Sequence, residues 1–178
     1  MFLGNIKNHF VKNNPSRSRY TQGLFRVLVL SFLFVFTASI LTSCGMGVRS
    51  RSLFGGKVNV DVSVSESVNK NNPVAVDYVL VYNEDLLKEL LKTPAKEWFE
   101  KKNQYKRDYP EDSGFSSFEW EWIPGQSVPP LSMPLVARAK GALVFALYFA
   151  KGDHRAHLDP HKSFKLMLRE ETFSVEPR

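Results

Sequence analysis

KVNVDVSVS (Lys57–Ser65) and VAVDYVLVY (Val74–Tyr82), with the polar segment between them, form the stretch that decides the fold. In the first, Val58, Val60, Val62 and Val64 alternate with Asn59, Asp61, Ser63 and Ser65. Strict alternation puts every valine on one face of an extended chain, which predicts a half-buried strand. The second run is apolar on nearly both faces, which predicts a central strand covered on two sides. Between them SVNKNN (Ser67–Asn72) and Pro73 supply a polar turn. The two strands either close a hairpin or belong to opposite sheets.

Downstream the period changes. NEDLLKELL (Asn83–Leu91) sets Leu86, Leu87, Leu90 and Leu91 on one side of a helix. Asn83 suits its N-cap and the early acids suit its dipole. Thr93-Pro94 restarts a helix, with Thr93 as cap and Pro94 in the first turn. Trp98 and Phe99 are its apolar anchors, and Lys96, Glu97, Glu100, Lys101 and Lys102 read as a solvated face. Phe118, Trp120 and Trp122 then alternate with Ser117, Glu119 and Glu121, a strand with an aromatic core face. Pro124-Gly125 makes a turn, and the three prolines of VPPLSMP (Val128–Pro134) suit an extended edge segment. ALVFALYFA (Ala142–Ala150) predicts a buried strand, too short to span a bilayer. SFKLMLR (Ser163–Arg169) alternates again, and Thr172–Val175 continues it after a break. The order β-β-α-α-β-(β)-β-β-β predicts a mainly β protein, a small β-sandwich over 57–178 with a helical insertion at about 84–107.

Upstream, residues 1–26 hold Lys7, Lys12, Arg17, Arg19 and Arg26 and no acid, and VLVLSFLFVFTASIL (Val27–Leu41) is uncharged. That length suits the apolar core of a secretory signal and is short for about 30 Å of hydrocarbon. Leu41-Thr42-Ser43-Cys44 resembles the lipobox of bacterial lipoproteins. The resemblance implies cleavage of residues 1–43 as a lipoprotein signal peptide and lipidation of Cys44, with the membrane as first partner. Gly45, where an Asp would favour inner-membrane retention, points to the outer membrane. Residues 44–56, rich in Gly, Ser and Arg, read as a lipidated flexible tether. Of the 178 residues and net charge +6, cleavage leaves 135 residues at about +1. The basic charge therefore belongs mostly to the export signal and is no argument for nucleic acid. Cys44 is the sole cysteine, which excludes an internal disulfide and a cysteine-based metal site.

Catalytic constellations are scarce. The chain has no Gly-rich phosphate loop, no G-x-S-x-G and no H-E-x-x-H, so no catalytic residue is assigned and no cofactor is implied. Glu119 and Glu121 share a strand face and read as outward acids. DHRAHLDPH (Asp153–His161) holds His154, His157 and His161, residue types that ligate zinc or copper. Pro160 opposes a continuous helix that would converge them, so a polar connecting loop is the default.

The lipobox, the valine-rich first strand, the loop of Asn69 to Pro73 and the second strand Val74–Tyr82 together resemble the TssJ family, the outer-membrane lipoproteins of type VI secretion systems. So do the Leu-rich segment Leu86–Leu91, the turn in Trp122–Gln126 and the apolar strand Gly141–Tyr148. The Lys-rich helix around Trp98 and the His-rich loop depart from the family pattern. The resemblance implies a transthyretin-like β-sandwich without enzymatic activity. It implies an anchor that binds the periplasmic part of the large inner-membrane subunit TssM, with the Ser67–Asn72 loop in the contact. Asn69, Lys70, Asn71 and Asn72 are then the partner-binding candidates, though all four are also good turn formers. The competing class is a stand-alone envelope lipoprotein that takes a metal or small ligand through the His154–His161 loop.

Overall fold

The alternating valines of the first run form strand β1 (Lys57–Val64), and the second run forms β2 (Val74–Val81). The computed structural model describes residues 29–32 and 45–178. Apart from residues 29–32, the expected signal peptide lies outside the described residues, as does the lipobox with Leu41, Thr42, Ser43 and Cys44. Met1–Met46 and Gly47–Arg178 are separate units, and the second carries the fold described below. Among the described residues no helix is long and apolar enough to cross a membrane.

β1 and β2 belong to opposite sheets. The first sheet has the order β4 (Leu131–Pro134), β1, β7 (Phe164–Leu168), β8 (Phe173–Pro177). The second has the order β3 (Phe115–Trp122), β2, β5 (Gly141–Leu147), β6 (Arg155–Leu158). All neighbours are antiparallel except β1 and β7, which run parallel with Val60 opposite Phe164 and Val64 opposite Leu168. The predicted sandwich is therefore present, and β2 is central as its two apolar faces require.

Those two faces build two cores. Val58, Val60, Val76, Tyr78, Val144 and Leu166 meet between the sheets. On the other side of the second sheet, Val79, Val81, Leu143 and Phe145 meet Leu86 and Leu90 of α2 (Glu84–Leu90) and Trp98 of α3 (Ala95–Asp108). Trp98 is fully buried and stacks on Phe145 at 5.0 Å, with Phe115 edge-on at 5.5 Å. Each such side chain contributes about 1.5–3 kcal/mol by leaving water. The helices thus cover the second sheet, while the outer face of the first carries Asn59, Ser63 and Lys165.

Local expectations divide. Asn83 caps α2, its Oδ1 accepting from the amides of Asp85 and Leu86 at 2.9 and 3.0 Å. Thr93 does not cap α3; Pro94 holds that position, and the Thr93 hydroxyl donates back to the Glu89 carbonyl at 3.1 Å. The buried amide of Ala95, which has no acceptor within the helix, is met by the Asp153 carbonyl, 2.8 Å away, so a neighbouring loop replaces the cap. Phe173–Pro177 does not continue β7 but turns back as its antiparallel partner. Part of the expected His-rich loop is strand β6, pairing Ala142 with Leu158 and Val144 with Ala156. Residues expected to be a tether form a helix, α1 (Gly45–Leu53). Val48 packs on the sandwich core and the Ser52 hydroxyl donates to the Leu135 carbonyl at 2.8 Å, contacts that local composition does not reveal.

Candidate functional site

The turn between β1 and β2 has an uncommon backbone. Asn69, Lys70 and Asn71 all have positive φ, at 47°, 57° and 61°. A left-handed residue other than glycine is uncommon, and three in succession cost of order 1–2 kcal/mol each, least for Asn. Asn69 holds the turn. Its amide nitrogen donates to the Pro73 carbonyl at 2.7 Å, and its Oδ1 accepts from the Phe149 amide at 2.8 Å. Backbone bonds from Asn69 to Arg169 and from Lys70 to Glu170 tie the turn to the β7–β8 connection. The Asn72 amide closes it by donating to the Lys70 carbonyl at 2.9 Å.

The four candidates from the sequence therefore separate. Asn69 is 2% exposed with both ends of its amide used inside the fold, so its side chain positions the turn and offers nothing outward. Lys70 and Asn71 are exposed, and Asn72 is half-buried. Lys70 pairs with Glu171 at 3.2 Å across open surface.

Beside the turn lies an open groove of about 1070 Å³ between the turn, the β5–β6 connection and the start of α3. Phe149 is 73% exposed on its wall, with Leu147 next to it. Glu100 and Glu121 stand at the rim. The expectation of one buried strand through Ala150 is corrected here. β5 ends at Leu147, and the Phe149 amide turns to Asn69, so the last aromatic of the apolar run faces water. Its place at the end of that run, next to Lys151-Gly152, was the only hint of this in the sequence.

The histidines do not converge. His154, at φ 42°, lies 4.9 Å from the Tyr148 ring and bonds the Ala150 carbonyl through Nε2 at 2.8 Å. His157 sits in β6 against Gly141, and His161 bonds the Val136 carbonyl at 3.2 Å. Strand β6 separates them, and among the described residues no three His, Cys, Asp or Glu side chains gather to hold a metal. The metal alternative thus loses its geometry.

The strongest electrostatic cluster lies under α3. Asp77, 1% exposed, is the one buried charged side chain among the described residues. It accepts from Trp98 Nε1 at 2.8 Å and from Lys102 Nζ at 3.1 Å. Burial raises its pKa, against the pull of Trp98 and Lys102. Lys102, expected on a solvated face, also reaches Glu119 at 2.8 Å, and Lys106 joins it there. Burial alone would raise the Glu119 pKa, but the hydrogen bonds from Lys102 and Lys106 outweigh it and hold it at about 2. This cluster fastens α3 to the sheet.

The two sheets, with a helical cover on one of them and a left-handed turn at one end, define a two-sheet β-sandwich. It is similar to the structure of the type VI secretion lipoprotein TssJ1 from Pseudomonas aeruginosa, with a TM-score of 0.54 and 12% identity over 70% of this chain and 97% of that one. It is also similar to Serratia marcescens Lip, a membrane-bound component of the type VI secretion system, at a TM-score of 0.52 and 14% identity, covering 70% and 98%. A chain in a structure of the TssM C-terminal domain from EAEC gives 0.51 and 16%, covering 68% and 98%. At these identities the likeness establishes a TssJ-like fold. No family model and no curated protein sequence matches the chain.

Proposed function

We propose that the chain is a non-enzymatic component of a type VI secretion membrane complex, held on the periplasmic face of the outer membrane by lipid on Cys44. Its Ser67–Asn72 turn grips the periplasmic part of a TssM-like inner-membrane subunit. The observation that carries this reading is the turn itself. Three successive left-handed residues are held by a buried asparagine so that Lys70 and Asn71 project outward. Strain of this kind persists where the surrounding structure over-determines a functional conformation. The groove adds an exposed aromatic, Phe149, of the type that anchors interfaces. The TssJ-like fold and the lipobox support the same reading.

The test uses the full chain, processed and purified from membranes, against the immobilised periplasmic domain of the TssM-like subunit from the same genome. Lys70→Glu combined with Asn71→Arg should weaken binding about tenfold or more, equivalent to about 1.4 kcal/mol. Wild-type strength in that variant, or no binding by the unaltered protein, sinks the assignment. Cys44→Ala should move the protein out of the membrane fraction, and unchanged fractionation removes the lipid anchor.

A further inference from the structure

At the opposite end of β1 from the turn, the structure carries a second exposed surface. Leu53 and Phe54, at the end of α1 and just after it, are 85% and 90% exposed, more than any other large apolar side chain of the unit Gly47–Arg178. Arg49, Arg51 and Lys57 are exposed around them. No acid occurs from Cys44 to Val60, so three positive charges gather in a mature chain whose net charge is about +1. The segment is fixed to the sandwich. Besides Val48 and Ser52, the Gly56 amide donates to the Arg51 carbonyl at 2.7 Å, and the Leu135 amide donates to the Gly56 carbonyl at 2.9 Å. The apolar pair therefore keeps one direction relative to the domain.

We propose that Arg49–Phe54 is a membrane-docking face, on which Leu53 and Phe54 enter a phospholipid leaflet while Arg49, Arg51 and Lys57 meet anionic headgroups. The inference rests on lipidation of Cys44. Phe54 is ten residues downstream of that cysteine, within about 35 Å even along a fully extended chain, and the helical residues between them shorten the reach. A lipid on Cys44 thus holds this face at the bilayer, where an apolar tip ringed by basic residues is the chemistry that settles at an interface. β1 is eight residues long, roughly 25 Å at about 3.3 Å per residue. Docking one end of it on the membrane turns the other end, with Lys70 and Asn71, away from the bilayer. The domain then stands in a set orientation and does not swing on a tether.

The sole native cysteine makes the test direct. Phe54→Cys and, as control, Glu171→Cys are made in the full chain, labelled with a thiol-reactive, polarity-sensitive fluorophore, and reconstituted without partner proteins. The vesicles are mixed phosphatidylethanolamine and phosphatidylglycerol. With Cys44 lipidated, each chain takes one label. The label at position 54 should emit blue-shifted and be quenched several-fold more by nitroxide lipids than the label at 171. One label per chain with both positions reporting water overturns the docking face while leaving the anchor standing. Two labels per chain show a free Cys44 thiol and overturn the lipidation reading together with the inference.

Discussion

Asp77→Ala should destabilise the fold by about 3 kcal/mol, while Asp77→Asn should cost less than about 1 kcal/mol. Asp77 is buried and serves two donors, Trp98 Nε1 and Lys102 Nζ. In the alanine variant the fully buried indole N–H has no acceptor, a penalty of about 1–3 kcal/mol. Breaking a buried charge pair by removing one partner costs about 3–5 kcal/mol. Lys102 retains Glu119 at 2.8 Å, which brings the total toward the lower end of that range. Asparagine keeps an acceptor for the indole and buries no charge. The raised pKa of Asp77, caused first by burial, has the same meaning: its ionised form is disfavoured in the fold. That contribution is fully present below the unfolded value of 3.8 and is lost as pH rises through the folded one, so at neutral pH the charge itself adds no stability. Urea unfolding measures the differences as midpoint shifts at constant slope. Trp98→Phe in the alanine background should recover part of the loss, because the orphaned donor is removed. Equal destabilisation by alanine and asparagine, or no recovery with phenylalanine, refutes the reasoning.

Two further outcomes follow from the turn and from the clamp on α3. Asn69→Ala leaves the Phe149 amide and the Pro73 carbonyl without their partner. It should cost about 2 kcal/mol, by thermal or urea unfolding, and speed hydrogen exchange at the Phe149 amide; unchanged exchange there would show that the turn holds without it. Glu119, held at about 2 by Lys102 and Lys106 against an ordinary value of 4.5, stabilises the fold above pH 4.5 and loses that contribution as pH falls toward 2. Wild type should therefore exceed Glu119→Gln in stability at neutral pH and converge with it near pH 2, and parallel pH profiles would remove Glu119 from the clamp.

Period and local chemistry settled much of this protein from the sequence alone. Alternating valines make Lys57–Val64 a strand whichever sheet receives it, because the side-chain period of an extended chain is two. Asn83 caps α2 by reaching amides two and three residues away, a contact contained within the segment. The tertiary structure decided what depends on distant partners. β1 joins β7 about a hundred residues on, so no local signal places β1 and β2 in opposite sheets. Lys102 looks solvated in its helix and becomes the half-buried partner of a buried carboxylate only because α3 lies over Asp77. Asn69 reads as an exposed turn former, yet the amide of Phe149, eighty residues later, draws it inward and leaves Lys70 and Asn71 outside. α1 reads as a tether because its glycines and serines carry little helix signal, and it is helical where Leu135 and the core receive Ser52 and Val48. Folding pairs most backbone and polar groups that burial removes from water, and the partners of Asn69, Ser52 and Asp77 lie far along the chain.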